Sequence, residues 1–346
     1  MAYTTINKST DYFNTKLYTG NGSSQSITGI GHQPDFTWIK SRSSTAFHLL
    51  TDAVRGVTKQ LYSNSSTSDN TNSYHITSFN SDGFSVGSAG DVNGNGTTFA
   101  SWNWKANGAG SSNTDGSITS TVSANTTSGF SIVSWTGDGN LATIGHGLGV
   151  TPSMYIVKNR SITEDWLVYH KDLTSNNDPP EDLHLTLNSN SAVANYPVWN
   201  DTAPTSSVFT VNNYAGTNGN GNNMIAYCFA EKTGYSKFGS YSGNGSTDGA
   251  FVYTGFKPAF VMIKRTGGTQ DWIILDNKRP EYNETNRALY PNANYDDTDT
   301  GKGIDILSNG FKLRKNHEAI NYSENYIYMA FGQSLVGNNN VPATAR

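Results

Sequence analysis

Lys264, Trp272, Asp276 and Arg279 fall within one short stretch whose residue types could recognise a ligand. Aromatic faces stack on the C–H surfaces of sugars, and carboxylate or guanidinium groups take pairs of hydroxyls, so the set has the composition of a saccharide platform. Lys40, His48, Asp52 and Arg55 repeat the same spacing earlier in the chain. A middle occurrence keeps Lys158 and Trp166, but His170 replaces the acid and Leu173 the arginine. If the set binds sugar, the sites are those of the first and third occurrences. A structural role is the preferred reading. Each lysine closes an apolar run, where its stem can cover aromatic surface while its head reaches water or pairs with an acid such as Asp276.

Other chemistry is thinly represented. Glu164-Asp165 and Glu181-Asp182 are adjacent carboxylates, whereas glycoside hydrolysis needs two carboxyls about 5 to 10 Å apart across a cleft. No His/Asp/Ser set recurs, and His32, His146 and His317 stand alone near glycines, so no catalytic residue is expected. Asp296-Asp297-Thr298-Asp299-Thr300-Gly301 resembles half a calcium loop but lacks the full ligand pattern, and an ordinary solvated loop is the preferred reading. No metal and no cofactor are expected.

The elements that must position these residues come in three copies. Tyr18-Thr19-Gly20-Asn21-Gly22 recurs as Trp135-Thr136-Gly137-Asp138-Gly139 and as Tyr241-Ser242-Gly243-Asn244-Gly245. A proline follows each landmark, and six residues later the lysine: Pro34 to Lys40, Pro152 to Lys158, Pro258 to Lys264. Leu61 to Asn64, Leu185 to Asn188 and Leu289 to Asn292 then open polar stretches. Each copy closes on an alternating aromatic run, Phe99 to Trp104, Ile225 to Phe229 and Ile327 to Phe331. Alternation with period two predicts a strand with one buried face.

These boundaries predict an all-β chain of three tandem antiparallel β-sandwich repeats, jelly-roll-like, set in a row at 11–106, 129–232 and 234–333. Residues 1–10 form an N-terminal segment, 107–128 a polar linker or extended surface strand, and 334–346 an extended C-terminal tail available to a neighbouring chain. The second and third copies are expected to touch, the first being free to sit apart. Asp52 to Tyr62, interrupted by Gly56, offers at most one turn of helix.

Composition narrows the function classes. Hydrophobic residues make up 35% and charged residues 14%, yet aromatics reach 12%, so the chain is polar but able to build a core. Its net charge is −4 with Lys and Arg scattered, which leaves no electrostatic footprint for nucleic acid. No run approaches the ~18 apolar residues needed to insert in a bilayer, and Met1 to Thr10 has no apolar secretion core, so a soluble, cytoplasmic product is expected. The single cysteine, Cys228, rules out a disulfide within these residues.

The stretch Tyr241-Ser242-Gly243-Asn244-Gly245, with Gly255 to Lys264, Trp272 to Arg279, Leu307 to Arg314, Tyr326 to Phe331 and the closing Val341 to Arg346, resembles a repeated domain of marine tailed-bacteriophage virion proteins. The opening Met1 to Asn14 is similar to the start of such proteins, which are often loosely called tail fibre proteins. The resemblance implies a non-enzymatic late protein assembled in the host cytoplasm and carried on the virion. Its expected partners are other tail or capsid proteins and a host surface polysaccharide. Tail fibre or receptor-binding protein is the leading expectation, and capsid decoration as a head fibre or cement protein is the alternative. By analogy with such proteins a homotrimer is expected.

Overall fold

The computed structural model describes residues 4–280 and 282–334, and it is all-β with antiparallel sheets. Single-turn α-helices occur at Gly90–Asn93 and Ala215–Asn218. Among the described residues no helix is long and apolar enough to cross a membrane.

The first segment has a six-stranded sheet in the order Phe13–Thr19, Thr98–Trp104, Phe36–Ser41, Leu49–Asp52, Lys59–Tyr62, Asn70–Thr71, and a smaller sheet of Gln25–Thr28, Gly83–Val86 and Ile76–Asn80. In the second, Phe130–Thr136, Asn223–Phe229, Met154–Asn159 and Leu167–His170 follow the same order within an eight-stranded sheet, opposite the pair Ala142–Gly145 and Val208–Val211. In the third the order is Ser236–Ser242, Asn325–Ser334, Phe256–Arg265, Ile273–Asp276, beside a four-stranded sheet that contains Phe251–Tyr253 and Gly310–Leu313. Each segment has its own apolar core lined by both of its sheets, for example Ile27, Ile39, Phe84 and Phe99 in the first.

The Gly-x-Gly landmark is a turn locked by a buried asparagine. Asn93 and Asn321 accept the N–H of Asn21 and Asn244 at 3.0 Å, and the carbonyls of Asn93, Asn218 and Asn321 accept Gly22, Gly139 and Gly245. Those last glycines lie at φ 70°, 72° and 64°, the left-handed region. A Cβ on Gly20 would meet the Gly94 carbonyl at 2.3 Å.

A fourth, central core is shared by all three segments, and it overturns the expectation of copies in a row. Alternate residues of each closing strand face it: Ala100, Trp102 and Trp104, then Ile225, Tyr227 and Phe229, then Ile327, Met329 and Phe331. The last members meet one another, with ring centroids 6.4 Å apart for Trp104–Phe229, 5.7 Å for Trp104–Phe331 and 6.0 Å for Phe229–Phe331. The closing strands are thus buried on both faces rather than one, because the intervening positions (Ser101 and Asn103, Ala226 and Cys228, Ala330) pack inside their own segment. The first segment does not sit apart.

Three finer features follow. Of the two readings of residues 107–128, the structure has the extended strand: Ser111–Asn113 and Ser120–Asn125 extend the eight-stranded sheet, the latter pairing with Phe130–Thr136. Asp52 to Tyr62 forms turns and the strand Lys59–Tyr62, within the expected limit of one helical turn, because Asp52 draws the Arg55 N–H into a tight turn that ends on Gly56 at φ 96°. Of the N-terminal segment, Ile6 enters the central core. The tail expected over 334–346 lies outside the described residues beyond Ser334.

Candidate functional site

The eight candidate residues for sugar platforms are buried. Lys40, His48, Asp52, Lys264 and Asp276 are fully enclosed, and Trp272, Arg55 and Arg279 nearly so. They present no face to a saccharide, and they occupy the joints between segments instead.

Each joint is clasped by equivalent backbone bonds. Glu164 N–H donates to Ser66 O at 3.0 Å, Gln270 to Asn190 O at 2.9 Å and Ala46 to Asn294 O at 3.2 Å. Asp69 N–H donates to Arg160 O at 2.9 Å, Val193 to Thr266 O at 2.9 Å and Asp297 to Arg42 O at 2.8 Å. The cycle runs first to second, second to third, third to first. The repeated Asn64, Asn188 and Asn292 aim the indole or imidazole position, accepting the N–H of His48, Trp166 and Trp272 at 2.8 to 2.9 Å. Trp166 Nε1 then donates to Tyr62 O at 2.9 Å and Trp272 Nε1 to Thr186 O at 3.0 Å, each across a joint. His48 faces the corresponding Tyr290 backbone, while its Nδ1 accepts Trp38 Nε1 at 2.9 Å.

Two joints share a buried ionic set. Asp276 ends its strand, and the next turn brings Arg279 back onto it: Arg279 N–H reaches Oδ1 at 3.0 Å, Nε reaches Oδ2 at 2.7 Å, and Nη2 donates to Ile274 O at 2.8 Å. Trp102 of the first segment donates Nε1 to Asp276 Oδ2 at 3.1 Å, and the guanidinium lies 5.8 Å from its ring centroid. Asp297 links Arg279 at 3.5 Å to Arg42 at 2.8 Å. Between the first and second segments Asp52 and Arg55 repeat this fork, Tyr227 Oη donates to Asp52 Oδ2 at 2.8 Å, and Asp69 links Arg55 at 3.6 Å to Arg160 at 2.8 Å. Burial pulls the Arg55 guanidinium down, but Asp52 outweighs it and holds the group firmly protonated. Burial likewise opposes ionisation of Asp276, and Arg279 overcomes it, keeping that carboxyl below its ordinary range.

The joint between the second and third segments is built from different residues at the same positions. His170, Leu173 and Val193 face Thr266 and Met329 where the other joints place aspartate, arginine and aspartate against arginine and tryptophan or tyrosine. His170 Nε2 meets Tyr328 O at 3.2 Å, and its Nδ1 accepts Asp172 N–H. Both sides change together. The first segment carries the ionic half on both of its flanks, the second and the third on one each, so each flank finds its match in one order of closure.

The three lysines do not snorkel or pair with Asp276. Lys158 Nζ donates to Asn159 O at 2.7 Å, Glu164 O at 2.9 Å and Ser66 O at 3.1 Å. Lys264 reaches Arg265 O and Asn190 O, and Lys40 reaches Ser41 O and Ser44 O. Burial lowers all three to about 8. The unfolded chain, with lysine near 10.5, then binds more protons between those values, so stability contributed by each site rises as pH increases from 8 towards 10. Urea midpoints measured across that interval should rise, and Lys158→Met should flatten the rise while lowering stability at pH 7 by about 2 kcal/mol through its three stranded carbonyls. A slope unchanged by the substitution contradicts this.

The joint histidines act at the acid end. Burial lowers His170 to about 3 and pushes His48 well below its ordinary range. The unfolded chain takes up protons below about 6.5 while the folded chain does not, so their contribution is intact above that pH and is lost as pH falls towards 3. His170 is expected to remove about 1.4 kcal/mol per pH unit within that window. Urea midpoints at pH 7 and pH 4.5 should differ by less in His170→Gln than in the unsubstituted protein.

Sequence reasoning missed Arg42, Asp69, Arg160, Tyr227 and Trp102 as joint residues and read Asp297 as a loop carboxylate. Asp297 turns inward to Arg42 and Arg279, while Asp299 accepts Gly301 N–H and Asn286 Nδ2. The available signal was concerted variation among copies: Arg55, Leu173 and Arg279 vary in step with Tyr227, Met329 and Trp102 across the joints. Among the described residues no group of three His, Cys, Asp or Glu side chains is placed to hold a metal ion. Chemically the arrangement is a set of neutralised joints.

Residues 8–334 are matched by a family model described as a domain of unknown function, DUF7483. No curated protein and no solved structure matches the chain.

Proposed function

We propose, for a chain that belongs to the DUF7483 family, a non-enzymatic bacteriophage virion surface protein that serves as a tail fibre or host receptor-binding module. In this reading residues 11–106, 129–232 and 234–333 are three β-sandwich repeats closed on one another, a single-chain counterpart of a cyclic trimer. The mutual contact of Trp104, Phe229 and Phe331 carries the closure, since equivalent positions meet only around a common centre. The residues common to the copies are consumed in turns and joints, which leaves the variable loops for partners. The virion setting rests on the resemblance of the repeated motifs to phage structural proteins. In this reading the three repeats make a threefold arrangement without a second copy, and light scattering in solution separates one chain mass, which this reading expects, from the three chain masses of a homotrimer.

Capsid decoration is the second reading, favoured by the same closed ring, which suits a threefold position on a shell without a shaft. Gold-labelled antibody on intact virions separates the two. Label at the tail supports host attachment, label over the head supports decoration, and virions without label refute both.

A further inference from the structure

We infer that the groove between the first and third segments, formed by Phe47, Asp91, Asn294, Ser44 and Thr45, binds a neutral saccharide. The inference deepens the host-attachment reading and rests on it. The groove encloses about 330 Å³, within the range of small-ligand sites.

Comparison among the three joints isolates what is particular here. Phe47 stands where Asp165 and Asp271 stand in the other copies, and those carboxylates each hold an asparagine of the clasp, Asn188 or Asn292, at 2.7 Å. Phe47 instead packs on Tyr62, ring centroids 5.2 Å apart, and remains 48% exposed. Asp91 stands where Gly216 and Ala319 stand in the other copies. The other joints close without an aromatic at the Phe47 position and without a carboxylate at the Asp91 position, so closure requires neither.

The surroundings point to one ligand class. His75 Nε2 fixes Asp91 Oδ1 at 2.7 Å, and His75 is itself buried. Tyr295, exposed, directly follows Asn294, and Tyr74, also exposed, bonds through its carbonyl to Ala89 beside the groove. The exposed Phe47 ring beside a fixed carboxylate, an amide and two hydroxyls matches the alternation of C–H faces and hydroxyl edges on a sugar ring. The groove's charged lining side chain is the Asp91 carboxylate, which repels phosphate and acidic sugars and leaves neutral saccharides.

The test uses the intact protein on an array of immobilised neutral oligosaccharides, acidic oligosaccharides and purified bacterial surface polysaccharides. Neutral glycans should be retained, and Phe47→Ala and Asp91→Asn should each reduce retention at least tenfold. Tyr253→Ala, an exposed aromatic of the third segment, should leave it unchanged. All three variants should keep the unsubstituted melting temperature. Retention that survives both groove substitutions overturns this site while leaving glycan attachment in place, and retention of acidic glycans alone overturns the ligand class. No retention at all overturns the inference, and the gold-label position on virions still decides the attachment reading independently.

Discussion

Arg279→Leu should destabilise the protein by about 3 to 5 kcal/mol in urea unfolding at pH 7, the cost of leaving a buried charge without its partner. The substitution removes the fork from Asp276 and one link of Asp297, both enclosed. Leucine itself is accepted at this position of the fold, since Leu173 holds it in the second segment. The loss is therefore a matter of match, and a designed set makes that explicit. Asp276→His, Arg279→Leu and Asp297→Val, combined with Arg42→Thr and Trp102→Met on the facing segment, reproduce the residues of the second joint at the third. The combined variant should recover most of the stability lost in Arg279→Leu alone, because coupled neighbours are not additive. A neutral Arg279→Leu, or a combined variant that loses the sum of its parts, contradicts the joint.

Trp104→Ala should cost about 3 to 5 kcal/mol, as expected for deleting a large core aromatic. Its ring lies against Phe13 at 4.8 Å and Phe36 at 5.3 Å and touches the closing aromatics of both other segments. The same change on the surface of a free-standing segment would cost little. Trp104→Phe gives the sharper comparison. Its Nε1 is buried without an acceptor among the described residues, and the equivalent positions are already Phe229 and Phe331. Losing an unsatisfied donor offsets the lost ring area, so Trp104→Phe should stay within about 1 kcal/mol of the parent. Equilibrium urea unfolding of the two variants checks the pair.

The sequence announces the strands, the turns and the three copies because those are local properties: alternation, glycines at left-handed φ, and repeated spacing. It does not announce which way a strand's second face looks. Trp102, Tyr227 and Met329 alternate as a single buried face would, yet the small residues between them are also enclosed. The same ambiguity applies to the reading of Lys264, Trp272, Asp276 and Arg279. An aromatic beside a carboxylate and a guanidinium has the composition of a sugar platform and of a neutralised joint alike, and only the distance to Trp102 of another segment separates them. The groove at Phe47 was illegible because Phe47, Asp91 and Asn294 are far apart in the chain, and Asn294 reaches the other two only through closure.

Small-angle X-ray scattering tests closure most directly. A compact body of this length has a radius of gyration of about 20 Å, whereas three bodies of about 100 residues set in a row reach roughly 28 Å. The closed arrangement predicts the smaller value for a single chain, retained at pH 7 across dilution. A value near the larger one, with the chain still monomeric, would contradict the shared core and with it the assignment of Asp52, Arg55, Asp276 and Arg279 to the joints.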